Sequence, residues 1–154
     1  MKNQMMAVLM AVIMVAMGSY LTKVNVYAEG TDEDIDISYL FTEESLIGYA
    51  ELRTRGIFLE EGMSSINDAG SGKIGWGGIT NAAIRCQVSV TSIVEKKVNG
   101  SWTHVTSSTT TNTNAYTAAV SKTRSVDSGY WYRVRSSHYA GTDGSSSCTS
   151  SLWM

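Results

Sequence analysis

The chain has no proline, and only two cysteines, two phenylalanines and two histidines in 154 residues. Each scarcity excludes something. Without proline there is no proline-containing wall-sorting motif. Two cysteines cannot build a disulfide-dense miniature scaffold, and Cys86, Cys148, His104 and His138 show no zinc-ligand spacing. The apolar run Met5–Met17 falls short of the roughly 20 residues that a helical membrane span needs. No G-x-S-x-G elbow is present. Gly70, Gly72 and Gly75 fit G-x-G-x-x-G, but the following "WGGIT" cannot open the helix that a dinucleotide site requires. No cofactor, metal or nucleic-acid partner is expected.

The features that are present begin with the N-terminus. Lys2 precedes the apolar run, and Val26 and Ala28 sit where signal peptidase takes small residues, so residues 1–28 are read as a signal peptide cleaved after Ala28. The expected product is secreted and makes no stable membrane insertion. Charge is then unevenly spread. Of the 14 acidic residues, 11 fall in 29–68, whereas 69–154 is net basic. Residues 29–55 are read as an acidic leader, flexible or partly ordered, which is either a solvated tail or a shield for a basic surface. Within it, "LIGYAELRTRG" fits a short helix or a first strand equally well.

From Gly56 onward the periodicity is that of β-structure. The glycines in "KIGWGGIT" point to a bulge or to close backbone packing. "IRCQVSVTSIVEKKV" alternates with Cys86, Val88 and Val90 on one side and then shifts to Ile93, which predicts a bulge near Thr91 and Ser92. Asn99-Gly100 is a type I′ hairpin turn. "SSTTTNTN" is an edge strand or a loop, "AYTAAVSK" a strand, "GTDGSSS" a loop and "CTSSLWM" a last strand. About seven strands with turns at this spacing predict an all-β domain over 56–154, a single two-sheet antiparallel β-sandwich. Two cysteines in an exported chain most simply form one bridge, so Cys86 and Cys148 are expected to be joined.

"GYWYRVRSSHYAG" carries most of the chemistry. Alternation puts Tyr130, Tyr132 and Val134 on the core face, and Trp131, Arg133 and Arg135 on the other. An arginine there can lie over the neighbouring tryptophan ring. With His138, these residues form a candidate binding surface for an anionic polymer or a sugar, or else the solvated side of an ordinary strand. His138 can also be written with Asp143 and Ser145–Ser147 as a Ser-His-Asp set, though no oxyanion helix accompanies it.

"KIGWGGITNAA", "CQVSVTSIVEKKVNGSWTHV" and "VDSGYWYRVRSSH" together resemble a family of small exported proteins of Gram-positive bacteria, classed as a domain of unknown function. The G-Y-[YW]-Y-R-V…H stretch, here Gly129–Val134 with His138, is its most recognisable part. The resemblance implies a signal peptide, a β-rich domain and no assigned activity. A weaker likeness runs to the lactococcin-972-like bacteriocins, from which the acidic leader and the greater length depart. The expected function is therefore that of a secreted, non-enzymatic binding module whose partner is a cell-wall polymer, a glycan or a protein. The alternatives are a bacteriocin-like antimicrobial protein with an acidic leader and a hydrolase using His138.

Overall fold

The computed structural model describes residues 37–51 and 56–154. The expected signal segment and its expected cleavage after Ala28 lie outside the described residues. A short 3-10 turn, Ser38–Leu40, precedes seven strands: β1 (Leu46–Tyr49), β2 (Leu59–Asp68), β3 (Lys73–Val98), β4 (Ser101–Ser125), β5 (Trp131–Ala140), β6 (Asp143–Cys148) and β7 (Leu152–Trp153). All pairings are antiparallel, and the strands make one nearly barrel-shaped sheet in the order β1-β2-β3-β5-β6, with β4 on β3 and β7 on β5.

This single sheet stands where two separate ones were expected, and the reason is strand length. β3 and β4 are 26 and 25 residues long, about five times an ordinary strand. Stretches that read as separate short strands are halves of these two. The first half of β3, Lys73–Ala82, pairs with β2 and with the end of β4. Its second half, Val88–Val98, pairs with β5 and with the start of β4. Register shifts between Asn81 and Val88 separate the two halves, and irregularities of this kind bend a strand. The bend brings β2 against β5 and β6, so that Ser64 of β2 bonds Ser136 of β5 and Ser147 of β6.

The core lies between these halves. Ile66, Trp76, Val88, Val90, Val94, Val120, Tyr132 and Val134 are all buried. Each aliphatic side chain of that size contributes about 1.5–3 kcal/mol on leaving water. β5 alternates without a break between exposed or half-buried and buried residues. β3 keeps Val88, Val90, Ser92 and Val94 on the inner face, so the bulge expected at Thr91 and Ser92 is absent. Ser92 occupies an inner position because its hydroxyl has a partner there, Ser136, at 2.9 Å.

The Asn99-Gly100 turn forms as expected, with φ of 51° and 84°. The Gly-rich stretch of β3 provides close packing. A side chain at Gly77 would strike the Val120 carbonyl and Leu40, and one at Gly78 would meet the Met63 carbonyl and the Ser136 hydroxyl at 2.7 Å. Part of the segment read as a leader belongs to the domain. Leu40 is fully buried and accepts a hydrogen bond from Ser65, and Leu46–Tyr49 is the edge strand β1, which settles the helix-or-strand ambiguity. "GTDGSSS", expected as a loop, supplies strand β6.

Candidate functional site

β5 positions the candidate residues. Its odd-numbered side chains leave the barrel and its even-numbered ones enter it, which places Trp131, Arg133 and Arg135 outside and Tyr132 and Val134 inside, as alternation predicts. Tyr130, expected on the core face, is exposed instead, because it precedes the strand and lies under the Lys96 ammonium, 4.3 Å from its ring centroid. The Tyr132 hydroxyl reaches the rim and donates to the Asp127 carbonyl at 2.9 Å. Trp131 stands edge-on to Trp153 of β7, its direct cross-strand partner, with ring centroids 5.2 Å apart. Arg133 does stack on an indole, but on Trp102 of β4, with its guanidinium 4.2 Å from the ring centroid, and not on Trp131.

Glu95 explains the difference. It lies opposite Arg133 in the β3–β5 register and is nearly buried. Its two oxygens accept from Arg133 Nε at 2.7 Å and from the Arg135 guanidinium at 3.2 Å. The carboxylate neutralises part of the basic face and draws Arg133 across β3 toward Trp102. Only the β3–β5 register, which the sequence does not state, could have marked Glu95 for this role.

His138 has an even number and is fully buried, so it is not part of the outer surface. Thr80 Oγ1 lies 2.8 Å from its Nδ1 and Ser147 Oγ 2.7 Å from its Nε2. From Ser147 the chain of hydroxyls continues to Ser64 at 2.5 Å, Ser136 at 2.8 Å and Ser92 at 2.9 Å. Ser64 donates to Ser136, so Ser147 must donate to Ser64 and the ring must supply a proton from Nε2. Nδ1 is then an acceptor, and the single hydroxyl proton of Thr80 is shared between it at 2.8 Å and the Ser89 carbonyl at 3.1 Å. Burial lowers the imidazole from 6.5 to about 4. At neutral pH the ring is uncharged and joins the two halves of the sheet through hydrogen bonds. Gly62 leaves room for it, since a Cβ there would sit 2.6 Å from the ring.

The Ser-His-Asp set assembles only in part. Ser147 reaches His138, but the Asp143 carboxylate is committed elsewhere, accepting from the backbone N–H groups of Phe58 at 2.7 Å and Leu59 at 3.1 Å. A threonine stands at Nδ1 where the triad places an acid.

Cys86 and Cys148 are both free thiols, which corrects the expected bridge. Cys86 pairs opposite Ala115 near the bend of β3, whereas Cys148 ends β6 opposite Arg135, whose own β3 partner is Ile93. The distance along β3 from Cys86 to Ile93 alone is roughly 20 Å at ~3.3 Å per residue. A disulfide needs Cα atoms within about 7 Å.

A groove of about 700 Å³ opens beside the arginines, between the end of β1 and the outer face of β5 and β6. Tyr49 and Tyr139 border it and are 64% and 58% exposed, although a phenol ring usually covers much of its apolar face. The groove's lining also includes Arg135, Glu51 and serines of β5 and β6, among them Ser137 and Ser146. Ser145 fastens the end of β1 there by donating to the Glu51 carbonyl at 2.7 Å, and Gly48 lets β1 approach the Cys148 carbonyl where any side chain would collide. Tyr139 shares the parity of Arg135 and so was accessible to the alternation argument. Tyr49 and Glu51 lie in the stretch whose secondary structure the sequence leaves open.

Among the described residues, no cluster of acidic, histidine or cysteine side chains could hold a metal ion, and no helix is long and apolar enough to cross a membrane. Comparison with known proteins finds no matching family model, no matching curated protein and no matching solved structure.

Proposed function

We propose that this chain is an exported, non-enzymatic binding module that takes a segment of a glycan chain into the groove between Tyr49 and Tyr139. The observation that carries the proposal is the groove itself. It is lined by two exposed tyrosines, Arg135, Glu51 and serines of β5 and β6, of which Ser137 and Ser146 are not buried. A sugar presents apolar C–H faces and many hydroxyls that both donate and accept. Aromatic rings match the first, and Arg135, Glu51 and the serines match the second. The volume lies within the few-hundred to 1,000 Å³ range of small-ligand sites. Partial neutralisation of Arg135 by Glu95 favours a neutral or weakly anionic saccharide over a polyanion. The uncharged, buried His138 and the diversion of Asp143 support a binding role over hydrolysis. The bonds from Ser64 to Ser136 and Ser147 support reading the folded sheet as two layers, as in a sandwich, with the groove on the outside of one of them.

The test is a screen of the purified chain against arrayed oligosaccharides and wall polymers, followed by calorimetric titration of the best ligand. Tyr139→Ala should weaken that ligand about tenfold or more, in line with the loss of one stacked ring and its hydroxyl. Absence of binding to any saccharide refutes the proposal. So does an affinity that neither Tyr139→Ala nor Tyr49→Ala changes.

A further inference from the structure

β4 is paired along one edge only. β3 takes that edge. On the other edge, among the described residues, no strand or side chain bonds the backbone of Thr106–Asn112. Over this run the β3 ladder is regular, from Thr106 opposite Val94 to Asn112 opposite Val88. A register shift at Val94/Glu95 ends the regularity on one side, and Asn114, with φ of 55°, ends it on the other. A regular, free edge is a template for another strand. Proteins that keep such edges single guard them with proline, charge or bulges. Here the chain contains no proline, no charged residue stands between His104 and Lys122, and the run itself holds no bulge.

We infer that this edge pairs with the same edge of a second copy, antiparallel, about a two-fold axis through Thr109. Continuity of the sheet requires that outer faces remain outer, so residues of equal parity must lie opposite one another and the axis must pass through a residue. Thr109 is the midpoint of the regular run. The resulting pairs are Thr106 with Asn112, Ser107 with Thr111 and Ser108 with Thr110, and each sets one hydrogen-bonding side chain against another across the strands. Charge favours a second copy over a foreign strand. β4 has no acidic residue, and its cations Lys122 and Arg124 fall beyond the partner's strand end in this register, so no like charges meet. A charged foreign strand would find no counter-ion along the run. The pairing leaves the Tyr49–Tyr139 groove uncovered and gives a dimer with two binding sites.

The test is the oligomeric state of the full chain by analytical ultracentrifugation, with circular dichroism as the check on folding. The native chain should be dimeric at micromolar concentration. Ser107 and Thr111 are exposed on the outer face, so a single molecule accommodates changes there. S107K/T111K sets four ammonium groups in two opposed pairs and should weaken the dimer roughly tenfold or more. S107K/T111E sets each lysine against the partner's glutamate and should restore it. A native chain that stays monomeric at the highest soluble concentration overturns the inference. So does a folded S107K/T111K that dimerises as well as the native chain, or a folded S107K/T111E that stays as weak as the double lysine.

Discussion

At neutral pH His138 is uncharged, because burial holds its imidazole at about 4 against 6.5 in the unfolded chain. Below pH 6.5 the unfolded chain takes up a proton that the folded one refuses, so folding stability falls as the pH falls. The loss begins near 6.5, is complete near 4, and is constant below that. At about 1.4 kcal/mol for each pH unit, the gap between the two values amounts to about 3 kcal/mol. That is a large share of the ~5–15 kcal/mol that holds a domain together. Thr80, Ser147 and Gly62 surround the ring and carry no charge, so nothing there offsets the penalty. The assay is urea denaturation of the native chain and of His138→Gln at pH 7.5, 5.5 and 4. Carboxylates titrate equally in both proteins, and the difference between them isolates the imidazole. At pH 7.5 the variant should be less stable by about 1–3 kcal/mol, through the broken hydroxyl chain. By pH 4 that deficit should vanish or change sign. A difference that stays constant across the three values would refute a neutral, buried His138.

Two further outcomes follow from the outer face. Glu95→Gln removes the anion shared by Arg133 and Arg135 and should cost about 1–3 kcal/mol in denaturant unfolding at low salt, with a smaller loss at high salt; an unchanged midpoint would mean that the carboxylate clamps nothing. In material purified without reductant, Cys148 should react with a thiol reagent in the native state, and both cysteines should react once the chain is unfolded. An intact mass two daltons below that of the reduced chain would show a bridge instead.

The parts of the fold legible in the sequence were those fixed by local periodicity and turn chemistry. β5 alternates over its whole length, so its inner and outer residues could be assigned from Trp131, Tyr132, Arg133 and Val134 alone. Asn99-Gly100 set the hairpin because only its backbone preference is involved. What escaped depended on distant partners. Ser92 broke an apolar pattern and mimicked a bulge, although it is an inner residue satisfied by Ser136 from another strand. His138 follows the inward parity of Tyr132 and Val134, yet its polarity suggested the surface; its burial depends on Thr80, Ser147 and the missing side chain of Gly62. The free cysteines escaped for the same reason, since composition says how many thiols there are and only the strand register says how far apart they lie. The groove needed the closure of β1 onto β6, which brings together residues nearly a hundred positions apart.

The β3–β4 hairpin also bears on how the molecule is assembled. Its strands are neighbours in sequence, so the ladder can zip outward from Asn99-Gly100 with little loop-closure entropy at each step. Hairpins form in about 1–10 μs, well before partners far apart in the chain find each other. The long ribbon is thus available early as a template. β2 and β5 share its remaining edge, and their pairing there is what brings His138 of β5 against Thr80 of β3.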